Sequence, residues 1–201
     1  LSVADRRVRM RTGRIEPLLS QWPAGSREHD TALGILQHLH DDDWFHNTVG
    51  FHEVTSQMTS LFRATLTGDG YVNGFLGHIV TELLIDAELS ARHPTRLDQY
   101  YRSLEQVDPA IVQFVVNAAA REPTEQLAIF IPLFVRERFL HDYSESSRLL
   151  RRLNQVMKRV KLPPLPDSVL AVLDAGRRCV AEQLMELLPP HHFAWDADQA
   201  P

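Results

Sequence analysis

The sequence predicts an all-α protein, a single-domain bundle of about seven to eight helices. Apolar residues recur at the spacing of amphipathic helices, and the chain shows almost none of the alternation of period two that is typical of strands. Prolines fall mostly between the periodic segments. With 201 residues and 44% hydrophobic content, the chain can bury one sizeable core. We therefore expect one domain over residues 1–201, with a frayed tail at 189–201.

The first two helices are predicted from their caps and their breakers. Ser26 or Asp30 is a suitable N-cap for a helix that continues to about Val49, where a glycine interrupts it. A second segment with apolar residues at helical spacing spans residues 51–66. The glycine-rich turn at 67–70 ends it.

A long apolar helix is predicted next, from Asn73-Gly74 to His93-Pro94. It ends there because the residue before a proline avoids the helical conformation. Asp-Pro and Pro-rich breakers divide the second half of the chain. The further predicted helices are 94–104, 109–121, 127–139 with a kink at Pro132, 145–161 and 167–188.

The long helix carries a stripe of polar residues. His78, Glu82 and Asp86 are spaced four residues apart, so they stack along one face. Most other positions of this helix are apolar, which is typical of a buried helix, and we expect the stripe to point inward. A buried imidazole and two carboxylates need a metal ion, a cationic side chain or hydrogen bonds to compensate them.

The first predicted helix carries a similar stripe. His38, Asp42 and His46 repeat the same spacing. If the two stripes face each other, they place three histidines and three carboxylates around one point. This mixed set suits one or two divalent ions such as Mn²⁺, Fe²⁺ or Zn²⁺. The alternative is a buried polar network, or a solvated face on the first helix.

Several short motifs resemble one enzyme family. In chain order they are Gly34-Ile35 with His38 and Asp42, His78 and Glu82 ahead of Leu83-Leu84, Phe139-Leu140, Tyr143, Leu153-Asn154 and Arg159. They resemble the acyl carrier protein phosphodiesterases, or acyl carrier protein hydrolases, a helical group distantly related to HD-type metal-dependent phosphohydrolases. The resemblance covers most of residues 1–161. It implies an HD-like fold and cleavage of a phosphodiester.

The chain also departs from this family. Leu36 and Leu39 stand where the family has a histidine and an arginine, and His46 and His78 replace aspartates. A metal site tolerates the latter change, because imidazole and carboxylate both bind these ions. Family members carry a further part of the site in a short N-terminal helix, which would precede Leu1. We therefore expect a missing segment upstream.

The predicted metal site and the resemblance together imply a metal-dependent phosphoester hydrolase, a phosphodiesterase or a related phosphohydrolase. The predicted metal ligands are His38, Asp42, His46, His78, Glu82 and Asp86. Their ion would lower the pKa of a bound water that attacks phosphorus. Asp42, Arg138 and His141 are the predicted catalytic residues, Arg138 because a cation must offset charge on the phosphoryl oxygens. His141-Asp142 would complete an HD-like pair. Alternatively, Arg138 is a surface charge of its helix.

Charge is unevenly distributed along the chain, although the net charge is only −5. Residues 5–14 hold five arginines and one acid, and residues 148–161 hold six basic residues and no acid. The segment Arg148–Lys161 is a predicted docking surface for an acidic carrier protein, unless it is an ordinary solvated helix face. Nucleic acid is not expected as a partner, because no aromatic residues alternate with the basic residues of these two segments.

The remaining features bound the class of protein. Cys179 is the single cysteine, so no internal disulfide is possible. No apolar run has the length of a membrane span, and no secretory signal pattern is present. We expect a cytoplasmic protein without membrane contact. The alternative function is a non-catalytic helical protein that binds a metal or an acidic partner.

Overall fold

The computed structural model describes residues 8–67 and 70–192. Residues 5–7 of the first basic segment, Gly68 and Asp69 in the predicted turn, and residues 193–201 of the predicted tail lie outside the described residues. Within the described ranges the structure contains helices and no strands, so the all-α prediction is confirmed.

The described part of the chain forms ten α-helices and one 3₁₀ helix. In order they are α1 Thr12–Leu19, α2 Arg27–His46, α3 Val49–Thr65, α4 Gly70–Arg92, α5 Pro94–Glu105, α6 Pro109–Ala119, α7 Leu127–Glu137, the 3₁₀ helix Phe139–Ser144, α8 Ser146–Arg159, α9 Val169–Glu182 and α10 Leu184–Leu187.

The predicted number of helices was too low because the 3₁₀ helix Phe139–Ser144 was not predicted and because the number of α-helices was underestimated for two reasons. The sequence offered α1 no cap and placed Pro17 inside it, but Ile15 is fully buried and packs against other apolar residues of its unit. The predicted last helix is divided at Gln183 into α9 and α10. This break allows Leu184 and Leu187 to enter the same core as α3 and α4.

The chain divides into two compact units. Unit 1 comprises Leu1–Trp44 and Asp98–Arg138, and unit 2 comprises Phe45–Leu97 and Phe139–Pro201. The boundary falls inside α2, so that Phe45 and His46 at the end of this helix belong to unit 2. This grouping does not test the predicted single domain, which stays a prediction.

Unit 1 has a core built by α1, α2, α6 and α7. Ile15, Ala32, Val115 and Ala119 form one buried cluster, and a second lies around Val116 with Val8 and Leu127. The loop after α6 is held by Asn117: its Nδ2 donates to the carbonyl of Thr124 at 2.9 Å, and its Oδ1 accepts from the amide of Thr124 at 2.8 Å.

Unit 2 is organised around the pair α3 and α4. Met58 and Phe62 of α3 and Leu76, Val80 and Leu84 of α4 form one buried cluster, to which α8, α9 and α10 also contribute. The two helices approach closely at Gly77. A Cβ atom at this position would lie 2.1 Å from Thr59 Oγ1 and 2.9 Å from the Thr59 amide nitrogen. Only glycine therefore permits this spacing without movement of α3 or α4.

The break between α2 and α3 lies at Asn47-Thr48 and not at the glycine that the sequence suggested. Thr48 Oγ1 accepts a hydrogen bond from the amide of Phe51 at 3.2 Å, which caps α3. The same hydroxyl donates to the carbonyl of Phe45 at 2.8 Å, so it closes the corner from both sides. Gly50 instead lies inside α3, where a Cβ would be 2.5 Å from the carbonyl oxygen of Glu186.

None of the described helices combines the length and the apolar composition that crossing a bilayer requires.

Candidate metal site

Two histidines and one glutamate converge in unit 2. His46 is the last residue of α2, and His78 and Glu82 are one turn apart on α4. His46 Nε2 lies 2.9 Å from Glu82 Oε1, and His78 Nε2 lies 2.9 Å from the same oxygen. A single carboxylate oxygen thus bridges two imidazole nitrogens from two helices.

The corner between α2 and α3 brings His46 to α4. Thr48 holds this corner through its bonds to Phe45 and Phe51, so the end of α2 is fixed with respect to the first turn of α3. Gly77 is the residue next to His78, and α3 packs closely against α4 at this glycine. The corner and the two α4 residues of the group therefore share one rigid frame.

The two imidazole rings are stacked, and Phe51 lies across them. The ring centroids of His46 and His78 are 4.9 Å apart with an interplanar angle of 21°. Phe51 is nearly perpendicular to both, at 4.8 Å and 75° from His46 and at 5.1 Å and 84° from His78. Phe45 packs against Phe51 at 4.7 Å. The histidines therefore have one apolar side made of aromatic rings.

The other side of the group is open to water. The side chains of His46, His78 and Glu82 are 26%, 48% and 38% exposed. The prediction of an inward-pointing stripe on α4 was wrong, because apolar residues such as Val80 and Leu84 occupy the buried side of α4 and leave the stripe at the rim. This position would let solvent or a substrate reach a bound ion.

His46, His78 and Glu82 are placed so that they could hold a metal ion. One ligand atom from each of the three residues lies within 4.8 Å of the other two. Among the residues that the structure describes, this is the one such group of three or more histidine, cysteine, aspartate or glutamate residues. Two imidazole nitrogens and one carboxylate oxygen suit Zn²⁺, Fe²⁺ or Mn²⁺ and leave coordination positions for water.

Asp86 lies one turn beyond Glu82 on the same face of α4 but does not belong to the group. Part of its carboxylate reaches solvent, while the surrounding protein partly removes water from it. This desolvation, reinforced by the negative charge of Glu82, raises the pKa of Asp86 from 3.8 to about 6. The carboxyl group of Asp86 therefore takes up a proton at a higher pH than a fully solvated aspartate does.

His38 and Asp42 lie on earlier turns of α2, in unit 1, and both are exposed. The structure thus brings together three of the predicted ligands, and His38, Asp42 and Asp86 are outside the group. The roles of these three as ligands stay predictions.

Of the predicted catalytic residues, Arg138 belongs to unit 1 and His141 belongs to unit 2. Arg138 ends α7 in unit 1 with a left-handed backbone (φ 44°). Its guanidinium is ion-paired with Asp98 and lies 4.6 Å from the ring centroid of Tyr101. These contacts hold Arg138 within unit 1, and its catalytic role stays a prediction.

The suggested HD-like pair lies in the 3₁₀ helix of unit 2. His141 is exposed there. Asp142 is half-buried and is bound by Arg152, whose Nη2 is 2.6 Å away, and by Arg148 at 3.8 Å. The carboxylate of Asp142 is thus already neutralised by two guanidinium groups, and it does not belong to the metal-binding group.

The same arginines bear on the predicted docking surface Arg148–Lys161. Arg148 also pairs with Glu145 at 3.0 Å, so at least Arg148 and Arg152 of this segment are engaged by neighbouring acids. Arg151, Lys158 and Lys161 are exposed. The docking of an acidic carrier protein stays a prediction.

Phe51 is the component of the site that sequence reasoning missed. In the sequence it marked only the start of the second predicted helical segment, whereas the structure buries it in the core of unit 2, at 2% exposure. The available signal was its position, directly after the corner that follows His46. An aromatic residue in the first turn of α3 must lie beside the end of α2.

No protein-family model, curated protein or solved structure matches this chain. The resemblance to acyl carrier protein phosphodiesterases therefore stays a prediction, and any functional proposal depends on the geometry of His46, His78 and Glu82.

Proposed function

We propose that unit 2 binds one divalent transition-metal ion through His46, His78 and Glu82 and that the protein hydrolyses a phosphoester with a metal-activated water. One observation carries the metal site: a single oxygen of Glu82 lies 2.9 Å from Nε2 of each histidine. Three ligand atoms this close, from two helices held in one frame, need only small movements to bind the same ion. An HD-like fold belongs to the same proposal.

The residues themselves favour Zn²⁺, Fe²⁺ or Mn²⁺ over Mg²⁺ or Ca²⁺. Imidazole nitrogen is a borderline ligand that suits the transition metals, whereas Mg²⁺ and Ca²⁺ prefer an all-oxygen set. His46 and His78 would each bind through Nε2 as the neutral ring with its proton on Nδ1. Glu82 would contribute the negative charge that offsets part of the charge of the ion.

The open side of the group supports a catalytic role. A bound ion of this kind supplies a Lewis acid and lowers the pKa of a water ligand toward neutrality. The exposed faces of His78 and Glu82 leave room for that water and for a substrate oxygen. Phosphoesters are proposed as the substrate class because of the sequence resemblance, since the ligand set by itself also serves other hydrolyses.

Metal content and phosphodiesterase activity test this proposal together. We expect near-stoichiometric Zn, Fe or Mn in the purified protein by mass spectrometry, and hydrolysis of bis(p-nitrophenyl) phosphate. His46→Ala, His78→Ala and Glu82→Gln should each lose metal and activity. His38→Ala is the matched control, because His38 lies on the same stripe of α2 but outside the group.

The outcomes separate the alternatives. A protein that holds no metal and cannot be loaded with one refutes the proposal and leaves a hydrogen-bonded cluster at the rim of unit 2. Metal binding without turnover supports the alternative of a non-catalytic metal-binding protein. Loss of metal in His38→Ala would instead restore the larger site that the two stripes predict.

A second candidate function follows from the ligand set. Two histidines and one carboxylate with open positions also form the mononuclear Fe²⁺ site of oxygen-activating enzymes. Loading with Fe²⁺ under anaerobic conditions and adding nitric oxide distinguishes the two: a strong iron–nitrosyl signal in electron paramagnetic resonance, together with absent phosphodiesterase activity, would favour this function.

A further inference from the structure

Phe51 combines three properties beside the candidate site. It contacts both histidines, at centroid distances of 4.8 and 5.1 Å. It is 2% exposed and belongs to the core of unit 2. Its backbone amide is fixed by the hydroxyl of Thr48. Ring contacts, burial in the core and a backbone hydrogen bond therefore fix the position of Phe51. Its side chain has no atom that binds a metal.

The geometry restricts how the imidazoles can turn. Both histidine rings form T-shaped contacts with the ring of Phe51. Such edge-to-face contacts are a preferred arrangement of aromatic rings. The centroids of the two imidazoles and of Phe51 lie 4.8–5.1 Å from one another, so each imidazole has Phe51 on one flank and its stacked partner on another. These neighbours restrict rotation of both rings away from the observed orientation, in which each Nε2 atom lies 2.9 Å from Glu82 Oε1.

We infer that Phe51 is a positioning residue that preorganises His46 and His78 for metal binding. This inference rests on the proposed function, because it assigns Phe51 a role in that same site. Ligands already in the bound orientation lose less rotational freedom when the ion binds. Removal of the ring should therefore weaken metal binding without removing any ligand.

The test compares Phe51→Leu with Phe62→Leu. Both residues are phenylalanines of α3 buried in the same core, at 2% and 0% exposure, but Phe62 makes no ring contact with a histidine among the described residues. The dissociation constant for Zn²⁺ is measured by competition with a chromophoric chelator, and the Co²⁺-loaded proteins are compared by visible absorption. Far-UV circular dichroism checks the fold, and Phe51→Met is a second, flexible replacement of similar volume.

We expect Phe51→Leu and Phe51→Met to bind Zn²⁺ at least about tenfold more weakly than the wild type, the loss typical of groups that orient metal ligands. Phe62→Leu should stay within about twofold, although both core substitutions lower stability. The visible Co²⁺ bands should broaden or shift only in the Phe51 variants. Their ligands would then no longer adopt a single arrangement.

Three results would overturn the inference, and they are distinguishable. If the wild type binds Zn²⁺ and the Phe51 variants match Phe62→Leu, Phe51 does not position the ligands and the metal site stands. If the wild type binds no metal, the proposed function fails, and the role of Phe51 fails with it. Nuclear Overhauser contacts between the rings of Phe51, His46 and His78 in the metal-free wild type should be strong, and their absence would also contradict the inference.

Discussion

Gly77→Ala is the substitution for which the structure defines the clearest mechanical effect on the site. The added Cβ would lie 2.1 Å from Thr59 Oγ1, 2.9 Å from the Thr59 amide nitrogen and 3.0 Å from the Thr55 carbonyl oxygen. The hydroxyl is itself engaged, since it donates to the Thr55 carbonyl at 2.8 Å, and the other two atoms belong to the backbone of α3. The methyl group can fit only if α3 and α4 separate.

The size of the effect follows from two opposing contributions. Overpacking of a well-packed contact typically costs about 1–3 kcal/mol of unfolding free energy. Alanine recovers up to about 1 kcal/mol through its better helix propensity. We expect a net loss of about 1–2 kcal/mol for Gly77→Ala. At Gly74, one turn earlier on α4, nothing lies within 4 Å of an added Cβ, so Gly74→Ala should gain up to about 1 kcal/mol.

Urea unfolding of the metal-free proteins, followed by circular dichroism at 222 nm, measures this difference. Gly77→Ala should unfold at lower urea than the wild type and Gly74→Ala at higher urea, with similar slopes. Because His78 directly follows Gly77, separation of the helices should also weaken Zn²⁺ binding in Gly77→Ala alone. A Gly77→Ala protein as stable as Gly74→Ala would refute the close α3–α4 contact and the rigid frame inferred from it.

Three further predictions concern the same unit. Burial and Glu82 raise the pKa of Asp86 from 3.8 to about 6, so the folded state binds more protons than the unfolded state between these values and wild-type stability falls as pH rises through them. Asp86→Asn should therefore have a higher unfolding free energy than the wild type above pH 6, by about 1 kcal/mol after allowance for solvent exposure. Below pH 3.8 the two proteins should be equally stable. Equal stability at neutral pH would contradict this prediction. Zn²⁺ at about one hundred times its dissociation constant should raise the unfolding free energy by about 2.7 kcal/mol in the wild type and not in Glu82→Gln, as thermal unfolding would show. Burial and Glu182 raise the pKa of Cys179, so its thiol should react with a disulfide reagent more slowly than a free cysteine at pH 8, and reaction at the free rate would be inconsistent with the structure.

Much of the secondary structure could be predicted because its signals are local. The Asp-Pro cap at 108–109 and the apolar periodicity of α3 and α4 are properties of neighbouring residues, and these helices lie where the sequence places them. The four-residue spacing of His78 and Glu82 likewise predicts that these two candidate ligands share one face of α4. Helix α1 could not be found in this way, because its burial and not its propensity maintains it.

The composition of the candidate site depended on contacts between residues distant in sequence. The stripe on α2 offered His38, Asp42 and His46 as equals, and only the corner closed by Thr48 determines that His46 meets α4. The exposure of the α4 stripe also follows from packing, since Val80 and Leu84 occupy the buried side of this helix. Helical periodicity determines which residues share a face, whereas the burial of apolar surface between helices decides which face meets which neighbour. For this reason the sequence alone predicted most of the helices and the residue types of the candidate site, whereas the tertiary structure decided that His46, His78 and Glu82 converge beside Phe51.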